Sequence, residues 1–315
     1  MITSLNNEIN ILESLALNAS TTQYDKNYIK FIVKYLMSVI ASVTSSSCIQ
    51  SGQPLPQDIW QLYGESLSTD VASSKLKLAS MHYCRGELRR AVSVLSEVEF
   101  DLDESVQPLC GKDPYNDNLS KAFCEYTVHN HSHEQLTKKL GFCVRFLRKE
   151  KFCAPLFLWY EMYRAVEDDV DHMDLIEREY MDWAEVDARP FLLYLQYLTY
   201  RSLGVRHRQL EAIHGLEDIL TSDRADQLCH TETVLNLFGH CCELEGDVNG
   251  ALDAYNASLE VLPRNNAANY HKLRLQLINQ LVGINCFVCE PPLKQYLHHS
   301  YTICIYGVVQ IILIT

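Results

Sequence analysis

Apolar and polar positions alternate along most of this chain with the period of an α-helix. In Tyr28–Val43, Ile29, Ile32, Val33, Leu36 and Ile40 share one face and Lys30 and Lys34 lie opposite, which predicts a helix with one buried side. Ser45–Asp58 reads as loop by composition, and Pro56 with Asp58 predicts a short helix around Trp60. The segment from Ser73 to Glu99 predicts a helical hairpin: Leu78 and Ala79 on its first helix, Gly86 in the turn, Ala91, Leu95 and Val98 on its second. Asp101–Ser120 has turn residues without periodicity and reads as a surface loop. Ser132 and Gln135 predict a capped helix running through LGFCVRFLRK, and Ala154–Pro155 opens a further predicted helix, PLFLWYEMYRAV. An acidic stretch, Glu167–Asp187, separates it from a third hairpin that begins at Pro190. A fourth follows from Thr231, and the helix after Asn265 is expected to cap it.

In the fourth hairpin the small and large residues fall in a fixed order. Gly239 stands on the first helix where bulk is excluded, Gly246 in the turn, and Ala251 where the second helix crosses closest. Tyr255 and Leu259 continue the packed face, and Pro263 closes the unit. This layout over 232–265 resembles a tetratricopeptide repeat, two antiparallel helices in about 34 residues, although Leu235 and Cys242 replace its usual tryptophan and tyrosine. The fold class expected is all-α: a tetratricopeptide-like solenoid of helical hairpins, with one well-matched repeat and several degenerate ones. The expected organisation is an N-terminal helical region over 1–100, a linker over 101–131, helical hairpins over 132–285 and an apolar tail over 286–315.

A second resemblance is carried by KLKLASMHYCRGELRRA, VDARPFLLYLQYLTYRSLG and ETVLNLFGHCCELEGD with NNAANYH. Together these stretches resemble the C-terminal helical region of large invertebrate proteins, many of which carry a cGAS-like, male-abnormal-type nucleotidyltransferase domain. That resemblance implies an accessory helical region beside an immune sensor's catalytic domain, not the catalytic domain itself. A nucleotidyltransferase needs a Gly-Ser turn and a paired-acid strand to hold two metal ions, and neither occurs here.

Charge narrows the function classes. The 315 residues carry a formal net charge of −13, and an acidic body argues against direct nucleic-acid binding and against an anionic membrane surface. The first residues, MITSLNNEINILES, lack the basic and apolar regions of a secretory signal. Twelve cysteines scattered through helical pattern are therefore expected as reduced thiols in a cytoplasmic protein. The apolar tail Tyr301–Thr315 is shorter than the about 18–20 residues that a spanning helix requires. The helical pattern stops abruptly near Val282, and both ends read as incomplete.

No residue set nominates a reaction. Cys286, Cys289, His298, His299 and Cys304 offer half of a zinc tetrahedron without the spacing of the other half. His129, His131 and His133 beside Cys124 read as a polar loop, and Asp168, Asp169, Asp171, His172 and Asp174 as a solvated acidic face. No metal or cofactor is assigned, and a metal-dependent enzyme using the tail or the acidic segment stands only as an alternative.

Binding has the better expectation. In a tetratricopeptide stack, Thr233, Asn236, His240 and Glu243 of the first helix would line the concave groove, with Tyr270 and Arg274 facing it from the next. Amide, imidazole, phenol and guanidinium groups on rigid helices suit an extended peptide or a partner helix. The expected function is thus a non-catalytic protein–protein interaction scaffold.

Overall fold

The computed structural model describes residues 1–18, 20–103, 105–110, 137–164, 182–222 and 225–283. The chain divides into two compact units, Met1–Lys272 and Leu273–Thr315. The described part is mostly helical, as an all-α expectation requires, with four short strands added.

Five helices come first. They are α1 (Ile2–Leu17), α2 (Gln23–Ser51), α3 (Gln57–Ser66), α4 (Ser73–Cys84) and α5 (Leu88–Asp101). Thr22 and Asp25 cap α2 reciprocally, each side chain accepting the other's backbone N–H. Ile29, Val33 and Ile40 on its face pack with Ile9 of α1, and Ala41 joins Ile59, Tyr63, Leu78 and Met81 in a neighbouring cluster. By length and composition Asp25–Ser51 is apolar enough to cross a membrane, yet half of its most apolar window is buried inside the protein.

The loop expected from Ser45 is corrected: α2 continues to Ser51 and ends at Gly52 in left-handed geometry. Serine is small enough for another segment to approach closely, and here Ser45 and Ser46 are buried while Ser46 Oγ accepts the Phe152 N–H at 3.2 Å. Ser51 satisfies its own hydroxyl on the Ser47 carbonyl at 2.9 Å. Tertiary packing therefore overrides the local preference of a serine run.

The helix expected through LGFCVRFLRK is also corrected. The chain forms β2 (Leu140–Phe142) and β3 (Val144–Leu147) there, followed by a 3-10 turn, Arg148–Cys153. β2 pairs in parallel with β1 (Gln107–Leu109), which lies in the segment expected to be loop, and β3 pairs antiparallel with β4 (Trp183–Val186). Val144 and Phe146 are buried while Arg145 and Leu147 are partly exposed, the period-two alternation of a strand. Asp70 fastens β2 to α4: it accepts the Ser73 N–H at 3.0 Å and the Phe142 N–H at 2.7 Å. The helix expected from Ala154 is replaced by two 3-10 turns, Leu156–Trp159 and Glu161–Tyr163. The Ser132 cap, the histidines at 129–133, the aspartates at 168–174 and the tail at 286–315 lie outside the described residues.

Two further hairpins follow: α6 (Ala188–Leu203) with α7 (Arg206–Thr221), and α8 (Thr231–Glu245) with α9 (Val248–Val261). The α4/α5, α6/α7 and α8/α9 turns each contain a glycine at positive φ, namely Gly86 at 74°, Gly204 at 72° and Gly246 at 85°. A Cβ there would strain the turn, so glycine ends each first helix cheaply. Helix α6 packs on α4, α5 and α8, so each of the three hairpins touches the next in chain order. The last described helix is α10 (Ala268–Gly283).

Candidate functional site

Gly239, Ala251 and Tyr255 bring α8 and α9 together. Ala251 and Tyr255 are buried, and a Cβ at Gly239 would meet the Tyr255 ring at 2.6 Å. Gly246 turns the chain between them, and Pro263 lies exposed in the loop after α9.

The expected groove residues take up a different task. Thr233 and Asn236 are closed from solvent. The Asn236 amide donates to Glu161 Oε1 at 2.8 Å and to Asn266 Oδ1 at 3.1 Å. His240 stacks on Phe157 with ring centroids 4.1 Å apart, and its Nδ1 meets Tyr194 Oη at 2.8 Å. His271 stacks on Phe157 as well, at 3.8 Å. Two rings cannot share one aromatic face at such distances, so Phe157 lies between the two imidazoles. Tyr160 stands 6.2 Å from the Tyr270 ring. The face of α8 that a partner peptide was expected to fill is thus covered by the chain's own 156–163 segment.

Glu161 is the charged member of that plug. Burial pushes its carboxyl above the usual carboxylate range, and Arg164 at 3.7 Å and the Asn236 amide bring it back only in part. Glu243 and Tyr270 remain half-buried at the rim, where Glu243 accepts the Tyr255 hydroxyl. Arg274 is half-buried and belongs to the second unit.

A second cluster escaped the sequence entirely. Cys110 follows β1, Cys143 joins β2 to β3, Glu185 lies on β4, Asp187 precedes α6, and Cys229 and His230 precede α8. One ligating atom from each of Cys110, Cys143, Glu185 and His230 falls within 4.8 Å of the others, and the same holds for Cys143, Asp187 and Cys229. Cys110 Sγ lies 2.8 Å from His230 Nε2, although the residues are 120 positions apart. Cys143 is common to both groups, within 4.8 Å of Cys110 in one and of Cys229 in the other.

Electrostatics favour neutral thiols in the protein alone. The contact with Cys143 lowers the Cys110 thiol, but the contact with Cys229, burial and the Glu185 carboxylate raise it by more. Cys143 is pushed well above the ordinary thiol range by Cys110, Cys229, burial and Asp187. The two carboxylates are occupied. Glu185 receives Arg145 through three contacts of 3.0–3.2 Å. Asp187 accepts the backbone N–H groups of Cys229 at 3.1 Å and His230 at 2.9 Å. The adjacent Cys229–His230 pair was the signal available in sequence, but its partners are too distant for any local spacing rule.

No family model matches this chain, and no curated protein or solved structure matches it either.

Proposed function

We propose that this chain is a non-catalytic interaction scaffold of tetratricopeptide-like hairpins that binds a peptide or helix of another protein. The observation that carries the reading is the succession α4/α5, α6/α7, α8/α9, three neighbouring hairpins that each turn on a left-handed glycine. Arrays of this kind hold side chains on rigid helices and present extended surfaces to partners. With Asn236 and His240 engaged by the chain itself, Glu243 and Tyr270 at the rim are the first-unit residues that would meet a partner. The unbridged cysteines among the described residues support a reducing, cytoplasmic setting. An accessory role beside a nucleotidyltransferase domain, which the second resemblance implies, would use the same array.

The test is quantitative affinity capture with the full chain. Tyr270→Ala and Glu243→Gln are expected to lower recovery of bound proteins at least about tenfold, a loss of about 1.4 kcal/mol. Phe100→Ser, on the exposed side of α5, should leave recovery unchanged. Equal recovery by wild type and both rim variants overturns the reading.

A further inference from the structure

We propose that Cys110, Cys143, Cys229 and His230 form a structural zinc site, with Glu185 and Asp187 as the carboxylates that hold its ligands in place. Nothing in this inference depends on the scaffold's partner.

Zinc takes four thiolate or imidazole ligands at about 2.0–2.3 Å in a tetrahedron, which sets neighbouring ligand atoms about 3.5–3.8 Å apart. Cys110, Cys143 and His230 already converge within 4.8 Å of one another, and Cys229 lies within 4.8 Å of Cys143, from where its thiol would turn inward to complete the set. The tightest contact, Cys110 Sγ to His230 Nε2 at 2.8 Å, would open by about 0.7 Å to admit the ion.

Buried cysteines are ordinarily inert small hydrophobes that face apolar neighbours. Cys110 and Cys143 instead lie beside one another and an imidazole, the half-buried Cys229 lies beside Cys143, and the three arrive from separate parts of the chain. The surroundings resemble the outer shell of a metal site, where hydrogen-bonded carboxylates orient the ligands. Asp187 clamps the backbone of both Cys229 and His230. Glu185 is a candidate fourth ligand by distance, but both of its oxygens are already met by Arg145, so Cys229 is assigned that place. Arg145 also offsets part of the negative charge that three thiolates and two carboxylates would leave around a dication. Four protein ligands leave no open position for a substrate, which makes the site a staple and not a reaction centre. It would join the ends of β1 and β2 to the start of α8, with Asp187 at the start of α6 held behind it.

The experiment uses the full chain expressed with zinc. Metal analysis is combined with thiol alkylation mapped residue by residue, before and after a chelator. One zinc per chain is expected, with Cys110, Cys143 and Cys229 at least about tenfold slower to alkylate until the chelator is added. Cys48, outside the cluster, should react equally in both states. Cys143→Ser should lose the metal, and the wild-type mapping stands even if that variant fails to fold. Absence of zinc, or protection falling on Cys286 and Cys289 instead, overturns the proposal. Protection of Cys110 and Cys143 with Cys229 still reactive overturns the ligand set.

Discussion

Gly239 of α8 lies directly against the ring of Tyr255 of α9: a methyl group at position 239 would stand 2.6 Å from Tyr255 Cε1 and 2.9 Å from Cζ. A carbon cannot occupy that space without moving a buried aromatic ring whose hydroxyl is held by Glu243. Gly239→Ala is therefore expected to destabilise the protein by about 2–3 kcal/mol. Urea denaturation measures it. In a Tyr255→Leu background the same substitution should cost less than about 1 kcal/mol, and an undiminished cost would mean that the ring is not what excludes the methyl.

Lys77 and Glu150 form a buried ion pair at 2.8 Å, both side chains almost wholly closed from solvent. Glu150 also accepts the Leu147 N–H at 2.9 Å. Lys77→Met leaves a buried carboxylate without its cation and should cost about 3–5 kcal/mol. Adding Glu150→Gln removes the charge but keeps an acceptor for Leu147, so the double variant should be more stable than Lys77→Met alone. Thermal unfolding of the three proteins decides the order.

Two glutamates give stability opposite dependences on pH. Burial raises the folded pKa of Glu161 above the ordinary glutamate value of 4.5, so the folded state holds the proton more tightly. Its contribution is greatest below about 4.5 and falls as pH rises through the folded value. Glu245 is lowered to about 2 by the Arg206 hydrogen bond, with Tyr197 and Gln209 assisting. Its contribution is present above about 4.5 and is lost as pH falls toward 2. Because Arg206 is more than half exposed, solvent screening limits that contribution to about 1 kcal/mol. Melting temperatures across pH 2–8 should show Glu161→Gln gaining on wild type as pH rises, and Glu245→Gln losing ground over the same interval.

The α8/α9 hairpin was legible because its determinants are local: glycine, alanine and tyrosine at helical spacing, with a glycine turn between them. The strands over 140–147 carried their own signal, apolar residues at Leu140, Phe142, Val144 and Phe146. The apparent helix cap at Ser132 and Gln135 competes with that alternation in the sequence. The plug over the expected groove had no local signal, since Glu161 and Asn236 are 75 positions apart. The spacing that places Asn236 and His240 on the concave face is blind to what covers that face. Likewise the thiol–imidazole cluster exists only once β1, β3, β4 and α8 are assembled.

The α8/α9 hairpin meets the α6/α7 hairpin at one carboxylate. Glu245, at the end of α8, accepts from Tyr197 of α6 at 2.7 Å and from Gln209 of α7 at 2.6 Å, and pairs with Arg206. A double-mutant cycle between Tyr197→Phe and Glu245→Ala, read by urea denaturation, tests that junction directly. The array predicts a coupling of about 1–2 kcal/mol. Additive effects, with coupling below about 0.3 kcal/mol, would contradict it.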